Sequence, residues 1–274
     1  MAERRRPLPV ERRRQIAKLA DEASVLRIGD LAARFEVADE TIRRDFQWLE
    51  QQGVLTRQHG GALSARADRE SPYNSREREH SHEKRLIAQL AVDLVHDSST
   101  IIIDSGTTTR HLIPLLRSKR DLVVITNGVS HVAGLLANPT TLVVIAGGSV
   151  RRESMGTVGD LAVATLEKLH ADHTFLATHG FSAQMGITYP NLEEVAVKRA
   201  MISAAAEVTL LADGSKYGRI SMARVASLDE VDRVITSGPI PDNEIAKMRE
   251  LGVEVVIASD ETEPSAATVG SSGR

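Results

Sequence analysis

The sequence predicts an α/β protein of two parts, an N-terminal winged helix-turn-helix domain followed by a domain built on a mostly parallel sheet. Its 274 residues exceed one typical domain. Residues 1–69 carry 14 Lys and Arg against 11 Asp and Glu, whereas the remainder carries 20 against 26. Beyond residue 99, β-branched apolar runs alternate with helical segments, a pattern typical of βαβ units.

The composition excludes several classes of protein. The chain has no cysteine, which excludes disulfides, thiol nucleophiles and thiolate metal sites. Only 3% of the residues are aromatic, which argues against stacking platforms for single-stranded nucleic acid. No apolar region follows the basic start, and no apolar run is long enough to span a bilayer. We therefore expect a cytoplasmic protein without a membrane segment.

The basic segment has the periodicity of three helices followed by a short hairpin. Residues expected to be buried are Ile16, Leu19, Ala20 and Ala23 in the first helix, Ile28, Leu31 and Phe35 in the second, and Ile42, Phe46 and Leu49 in the third. Asp39 is the expected N-terminal cap of the third helix, and Gly53 is expected to end it. The stretch VLTRQHGGAL then predicts a wing.

The outer face of the third helix predicts contacts with double-stranded DNA. At 100° per residue, Arg43, Arg44 and Gln47 share that face with Glu40 beside them. Arginine can donate two bonds to guanine and glutamine can pair with adenine in the major groove. Adjacent arginines alone usually mark a solvated face, but the three-helix layout with a wing favours DNA binding. The further predicted contacts are Thr41 to a phosphate, and Arg57 and His59 from the wing.

In the acidic part, polar clusters follow five apolar runs that we interpret as strands buried on both faces. Ligands of parallel sheets bind beyond the carboxyl ends of the strands, so the clusters are expected to line one crevice. The clusters are Ser105–Thr108 after TIIID, Asn127–Gly128 after LVVIT, Gly147–Ser149 after TLVVIA, His179–Gly180 after HTFLAT, and Asp213–Lys216 after VTLLA.

The stretch IIIDSGTTT predicts a site for an anion. Thr107 to Thr109 stand where a helix is expected to begin, so free N–H groups and hydroxyls would point one way, and Gly106 would allow close approach. Lys216 would supply a countercharge, leaving Asp104, Asn127 or Glu194 to bond sugar hydroxyls. Neither a Walker loop nor a G-x-G-x-x-G fingerprint is present, which disfavours ATP and NAD. We therefore expect a small phosphorylated ligand, with no cofactor and no metal.

The expected organisation is a DNA-binding domain at 1–62, a linker at 63–79, an effector domain at 80–258 and a disordered tail at 259–274. Pro72 is expected to keep the linker from forming a helix. His80 and His82 are taken as solvated residues and not as metal ligands. Intervening helices are expected near 109–117, 128–137 and 192–206.

The stretch TIRRDFQWLEQQGVLTRQHGGA resembles the signature of DeoR-type bacterial transcription regulators. The resemblance extends through DSGTTT, VVITNG, GGSVR, EEVAVKRAM and LLADGSKYGR to nearly the whole chain. It implies a repressor of a carbohydrate operon whose effector domain is similar in fold to ribose-phosphate isomerases and CoA-transferase-like proteins. It also implies effector contacts at Asp104, Ser105, Gly106, Thr107, Thr108, Asn127, Gly147, Gly148, Glu194 and Lys216. The two-domain layout predicts a homo-oligomer, a dimer or tetramer, that pairs through the α/β domain so that two DNA-binding domains meet successive half-sites of an operator. Tyr73 and Arg76 match an element of the family's linker that docks the domains.

Departures from the family pattern occur at Ala38, Phe46, Ala177 and His179. His179 stands at a strand end where the isomerases compared with it carry acidic residues. Two alternatives remain open at this point. A sugar-phosphate isomerase would use Asp104, Glu194 or Asp213 as general base and Lys216 for charge. A DNA-binding protein without a ligand would leave the five clusters unexplained.

Overall fold

The protein is described here by a computed structural model that covers residues 8–22, 25–52, 54–58, 61–64 and 70–260. These residues form the two parts that the sequence predicts. Residues 8–64 are called the head below, and residues 80–260 the sensor domain. Among the described helices, none combines the length and apolar character that a membrane span requires.

The head consists of three helices and a small antiparallel sheet. Its elements are α1 Pro9–Glu22, β1 Val25–Arg27, α2 Ile28–Phe35, α3 Asp39–Gln51, β2 Leu55–Gln58 and β3 Gly61–Ser64. Strand β3 pairs with both β1 and β2, so that β2 and β3 form the predicted wing. Ile42, Phe46 and Leu49 face the core of the head, which confirms the predicted buried side of α3.

The predicted cap of α3 is wrong. Ala38 occupies the N-cap position with extended backbone (φ −67°, ψ 148°), and Asp39 is the first residue of the helix. The carbonyl of Ala38 accepts from Thr41 N at 2.8 Å, and no side chain caps the helix there. Asp39 and Glu40 contribute negative charge to the first turn instead, which complements the helix dipole.

The predicted linker contains a helix. Helix α4 (Tyr73–Arg78) begins directly after Pro72, and α5 (Ser81–Val92) follows it. Proline is tolerated next to a helix start because the first N–H groups have no partner within the helix. The Tyr73 hydroxyl lies 3.0 Å from Ser130 Oγ, so this half of the linker packs on the sensor domain.

Seven parallel strands form the centre of the sensor domain, in the order β15-β14-β12-β9-β4-β5-β6. They are β4 Thr100–Ile103, β5 Val123–Thr126, β6 Leu142–Ile145, β9 Ala171–Ala177, β12 Ala205–Ala212, β14 Arg233–Ser237 and β15 Glu254–Ala258. The five predicted runs are all strands of this sheet. Apolar clusters cover both of its faces, which is why the runs lack polar alternation.

Short strands form two small antiparallel sheets beside the main one. They are β7 Ser149–Arg151 and β8 Gly156–Val158 in one sheet, and β10 Gly180–Ser182, β11 Gly186–Tyr189 and β13 Ala223–Ala226 in the other. The remaining α-helices are α6 Val132–Leu135, α7 Asp160–Leu166, α8 Leu192–Ser203 and α9 Asp242–Glu250.

Two of the expected helices of the sensor domain are much reduced. The segment expected at 109–117 consists of two 3-10 turns, Thr109–Leu112 and Leu115–Ser118, and the one expected at 128–137 is the four-residue α6. Pro114 interrupts the first segment because it lacks the N–H that a continuous helix needs. A strong helix dipole at Thr107 to Thr109 is therefore not available to a ligand.

Candidate functional site

The outer face of α3 presents the predicted DNA-contacting side chains to solvent. Glu40, Arg43, Arg44 and Gln47 are exposed, and Thr41 is half-buried in the first turn. The guanidinium groups of Arg43 and Arg44 lie 3.5 Å and 3.6 Å from the Glu40 carboxylate. Exposed pairs of this kind are weak, so both arginines can exchange Glu40 for a phosphate or a base edge.

A buried ion pair that the sequence did not suggest holds α3 against α1. Asp45 is 1% exposed and accepts from Arg12 Nε at 2.5 Å and from Arg13 Nε at 2.8 Å. The Arg13 guanidinium also lies 4.8 Å from the centre of the Trp48 ring. These contacts fix the rotation of α3, and with it the direction of its outer face.

The wing is present, with Arg57 of β2 opposite Ala62 of β3. His59 lies outside the described residues. DNA contacts by Arg57 and His59 stay predictions.

In the sensor domain, Asp104 follows β4 and is fully buried. Its carboxylate accepts from Ser105 N and Ala177 N, both at 2.9 Å, and forms a short ion pair with Lys198 of α8. Asp104 Oδ2 is therefore shared by two donors, whereas Oδ1 accepts from Ser105 N alone, and a contact of Asp104 with sugar hydroxyls stays a prediction. Its observed role is to hold the loop after β4 against β9 and α8.

Asn127 and Gly106 shape the same loop. Asn127 Oδ1 accepts from Ser105 N at 2.9 Å, while Asn127 Nδ2 donates to Thr157 O at 3.2 Å. Asn127 is thus also engaged within the protein. A Cβ on Gly106 would lie 2.1 Å from Ala177 Cβ, so this glycine is required for packing against β9 as well as for any approach of a ligand.

The loop keeps polar groups for a ligand. Among the described contacts, the backbone N–H groups of Gly106, Thr107 and Thr108 have no acceptor. Thr107 Oγ1 accepts from Lys84 Nζ at 3.1 Å. Three neighbouring amide donors beside a lysine form a concave site suited to an oxyanion, even without a long helix.

Lys84, which contacts this loop, interacts electrostatically with cationic side chains from two other segments. Burial lowers the pKa of Lys216 to about 8, against the opposing charge of Asp213, and Arg219, Lys84 and Arg76 lower it further. Burial also lowers the pKa of Lys84, which Asp213 opposes. Asp213 and Glu79 act on Lys84 and Arg219, and Glu70 pairs with Arg76. We call Arg76, Lys84, Lys216 and Arg219 the cation cluster.

Glu194 is the predicted site residue with a free polar atom. It lies in the first turn of α8, where Asn191 Oδ1 caps Glu194 N at 3.0 Å. Its carboxylate is buried, Arg151 Nη1 lies 3.4 Å from Oε1, and Oε2 makes no hydrogen bond of ordinary geometry among the described residues. Burial raises the pKa of Glu194, Lys198 and the Ser154 hydroxyl oppose this, and Asp104 and Glu70 add to it.

His179 lies between the cation cluster and Tyr189. Its ring makes an edge contact with the Tyr189 ring at 6.2 Å, and its Nδ1 has no partner in the described structure. Burial lowers the pKa of His179 to about 4, and Lys216 and Arg219 act in the same direction. At neutral pH the imidazole is uncharged, and it can offer a ligand a neutral donor or acceptor.

Gly147 and Gly148 lie exposed at the sheet edge after β6. Gly148 has φ +118°, and an added Cβ would lie 2.3 Å from Val158 O. Glycine is required at position 148 by this positive φ and by the close approach of Val158. No described contact brings either residue to the cation cluster, so their predicted role as effector contacts is unsupported by the geometry.

Several residues of the site were missed in the sequence. Lys84, Lys198, Arg151, Arg219, Tyr189 and Glu70 all lie at the crevice. Lys198 could have been found from its spacing, because Glu194 and Lys198 are four residues apart on α8 and so share a face. The others come from α5, two short strands, the linker and the segment before β13, and no local pattern indicates that these elements share a site.

Comparison with known proteins gives matches over both parts. The model of the DeoR-like helix-turn-helix domain matches residues 12–67, and that of the DeoR C-terminal sensor domain matches residues 79–238. The transcriptional regulator GlpR of Haloferax volcanii is 33% identical over 91% of this chain and 98% of its own length. The glycerol-3-phosphate regulon repressor of Escherichia coli K12 is 29% identical over 84% of this chain and 92% of its length.

Among solved structures, a ribose 5-phosphate isomerase A from Methanocaldococcus jannaschii is 15% identical over 52% of this chain and 56% of that chain. The TM-score of this match is 0.38.

Proposed function

The chain belongs to the DeoR family of transcriptional regulators, and from this premise we propose that it represses a carbohydrate-catabolism operon under the control of a phosphorylated sugar. The sugar phosphate binds in the crevice of the sensor domain and changes the affinity of the head for operator DNA. A DNA-binding regulator acts where the chromosome is, so the proposed location is the cytoplasm.

The observation that carries the ligand class is the row of backbone amides without acceptors in the loop after β4, beside Lys84 of the cation cluster. Lys216 has its pKa lowered to about 8, which reflects burial together with neighbouring cations. A phosphate monoester carries nearly two negative charges near neutral pH and three acceptor oxygens. Its binding would relieve the repulsion within the cation cluster and engage the free amides of Gly106, Thr107 and Thr108. One relative is named for a regulon of glycerol 3-phosphate, which supports this class of ligand.

The sugar moiety would meet polar groups further into the crevice. Glu194 offers a carboxylate oxygen without a partner, and His179 offers a neutral ring nitrogen. Hydrogen bonds to such buried groups discriminate strongly against ligands that lack the matching hydroxyl, because the buried group is then left unpaired.

On the DNA side, α3 enters the major groove. Arg43 and Arg44 reach guanine edges or phosphates, Gln47 reaches a base edge, and Thr41 binds a phosphate at the helix start. Glu40 holds the two arginines in the free protein. Arg57 and His59 of the wing reach the DNA backbone or minor groove.

The protein acts as a homo-oligomer in this proposal, because two heads can then occupy successive half-sites of an operator. The edge strand β6 is the candidate contact between copies. Leu142 and Ile145 point to opposite faces of this strand, and both are exposed. The run from Asn138 to Val150 has no charged residue, so it lacks the charges that usually prevent pairing of edge strands. Ile145→Lys should produce a smaller species in sedimentation analysis.

An isomerase with the same crevice is the alternative reading. It would need a carboxylate free to move a proton. Asp104 is held by Lys198 and two backbone amides, which disfavours it as a base. Asp213 Oδ1 accepts from Ser215 N at 3.2 Å, its Oδ2 has no partner among the described residues, and the carboxylate interacts with Lys216. Glu194 and Asp213 are the candidates that would then be assayed.

Fluorescence anisotropy tests the proposal. The probe is labelled DNA from upstream of the protein's own operon, titrated with and without a panel of sugar phosphates and the matching free sugars. We expect specific binding that one phosphate changes and its free sugar does not. Absence of specific DNA binding under every condition would contradict the proposal and lead to an isomerase assay.

A further inference from the structure

Glu70, in the linker, is held by one donor of the linker itself, Arg76, and by two donors of the sensor domain, Arg151 and Tyr189. Its side chain is 2% exposed. Oε1 accepts from Arg76 Nη2 at 2.7 Å and from the Tyr189 hydroxyl at 2.9 Å, and Oε2 accepts a short bond from Arg151 Nη1. Both carboxylate oxygens are therefore fully engaged.

The donors come from elements that are far apart in the chain. Arg76 is in α4, Arg151 in β7 and Tyr189 in β11. Two guanidinium groups and a phenol around one carboxylate form a donor set that suits a phosphate or carboxylate group in general. Burial alone would raise the pKa of Glu70, but Arg76 and Arg151 hold it below its ordinary value. Burial raises the pKa of Tyr189, which therefore keeps its donor proton.

This donor set adjoins the ligand crevice through direct contacts. Arg151 Nη1 lies 3.4 Å from Glu194 Oε1, so one guanidinium serves both the linker and a candidate effector contact. Lys198 Nζ lies 4.5 Å from the centre of the Tyr189 ring, and the same ammonium group pairs with Asp104. Arg76 belongs both to this set and to the cation cluster around Lys216.

We propose that Arg76, Arg151 and Tyr189 form a second anion subsite of the crevice, that Glu70 fills it when no ligand is bound, and that an oxyanion of the ligand displaces Glu70. The inference rests on the proposed function and adds to it a route from the crevice to the head. Glu70 follows the last described residue of the wing, Ser64, by six positions. Release of Glu70 frees the linker at that point and changes the arrangements open to the head.

The expected size of the effect follows from competition. A ligand that binds only when the internal carboxylate has left has its apparent affinity reduced by the fraction of time that the subsite is open. If Glu70 occupies the subsite about nine-tenths of the time, it therefore weakens phosphate binding about tenfold. Removing the charge of Glu70 should strengthen binding by that factor.

A purely structural ion pair predicts the opposite sign. Loss of one partner from a buried pair leaves the other partner uncompensated, which loosens the site and weakens ligand binding. Tighter binding after removal of the Glu70 charge contradicts a merely structural role, and Glu70→Asp, which keeps that charge, separates displacement of the carboxylate from the loss of a nearby negative charge.

The test compares the full-length wild type with Glu70→Gln, which keeps the size of the side chain, and with Glu70→Asp, which keeps its charge. Glu77→Gln is the matched control, since Glu77 pairs with Arg110 at 3.1 Å and has no described contact with Arg76, Arg151 or Tyr189. The probe is inorganic phosphate, and its affinity is read from the phosphate dependence of thermal unfolding. Trypsin cleavage at the linker residues Arg66 and Arg69 is followed with and without phosphate.

We expect Glu70→Gln to bind phosphate about tenfold more tightly than the wild type, and to be cleaved rapidly by trypsin in the absence of phosphate. Glu70→Asp should be intermediate in both phosphate affinity and cleavage rate. Glu77→Gln should match the wild type in both. Unchanged or weaker phosphate binding by a folded Glu70→Gln would contradict the proposal that Glu70 competes with the ligand for this subsite. If the wild type still binds phosphate through Lys216 when Glu70→Gln shows no tighter binding, the proposed function is retained and only the role of Glu70 is rejected. If phosphate and the sugar phosphates bind to none of the variants, both proposals fall.

Discussion

The head and the sensor domain differ in the solvent exposure of their functional charges. In the head, the side chains of Arg43 and Arg44 are 54% and 76% exposed, and their partner is an equally exposed glutamate one turn away. In the sensor domain, Asp104 and Lys198 are 0% and 2% exposed and bind each other. The head can bind DNA by exchanging weak surface pairs, whereas a ligand of the sensor domain must enter an electrostatic network that is already occupied.

This difference explains how the two parts can divide the work of a regulator. Surface arginines contribute affinity with little reorganisation, and that affinity depends strongly on salt. Buried charges are coupled to the packing around them, so adding an anion alters contacts between elements of the domain. The sensor domain is therefore the part in which binding of a small ligand can be converted into movement.

The largest expected effect concerns the buried pair. Lys198→Met removes the partner of Asp104 and leaves a buried carboxylate uncompensated, which should lower the free energy of unfolding by about 3–5 kcal/mol. Urea denaturation measures this. Arg120→Ala breaks the exposed pair with Asp97 and should change stability by less than about 1 kcal/mol. Equal effects of the two substitutions would erase the contrast between buried and exposed charges.

The next effect concerns the recognition helix. The double substitution Arg43→Ala with Arg44→Ala should weaken operator binding about 100-fold, since each good arginine contact to a base is worth about 1–3 kcal/mol. Sugar-phosphate binding and thermal stability should stay unchanged because both side chains are exposed. Anisotropy with operator DNA is the measurement, and Arg117→Ala, an exposed arginine of the sensor domain, is the control. Retained operator affinity would mean that α3 is not the recognition helix.

A smaller effect is expected at Lys216. Lys216→Gln should weaken sugar-phosphate binding about tenfold while sparing DNA binding, because it removes one charge of the cation cluster. Binding by the wild type should also weaken as pH rises through about 8, where Lys216 loses its proton. The phosphate is already a dianion over that range. Calorimetric titration at several pH values tests this, and a wild-type curve as flat as that of the variant would remove Lys216 from the site.

The smallest effect concerns acid stability of the sensor domain. Burial lowers the pKa of both His131 and His179 to about 4, whereas an unfolded histidine titrates near 6.5. Below pH 6.5 the unfolded chain binds protons that the folded chain excludes, so the free energy of unfolding falls as pH drops toward 4. Each histidine should contribute about 1 kcal/mol of loss between pH 7 and 5.5.

In His179→Gln, the loss in free energy of unfolding between pH 7 and 5.5 should be smaller by about 1 kcal/mol, the contribution of one histidine. Urea denaturation of wild type and variant at each pH gives the comparison. A variant whose pH dependence equals that of the wild type would show that His179 is not held neutral.

Local patterns in the sequence predicted the head and the strands of the sensor domain. The spacing of Ile42, Phe46 and Leu49 defined the outer face of α3, because a helix with a period of 3.6 residues leaves no other choice of face. The runs TIIID, LVVIT, TLVVIA, HTFLAT and VTLLA are strands, as their short length and the Gly, Ser and Asn residues that follow them predict, and their continuous apolar sequence fits strands buried on both faces. These features are determined by residues that are close to one another in the sequence.

Only the tertiary structure decided which charges meet. Asp104 and Lys198 are separated by 94 residues, and Glu70 and Tyr189 by 119. Asp104 looked available for a ligand because the sequence does not show that β9 and α8 bring an amide and an ammonium group to its oxygens. Sequence alone determined that donors gather at the carboxyl ends of the strands. Burial and long-range packing determined which of them are already engaged, because electrostatic pairing depends on distance in space and not along the chain.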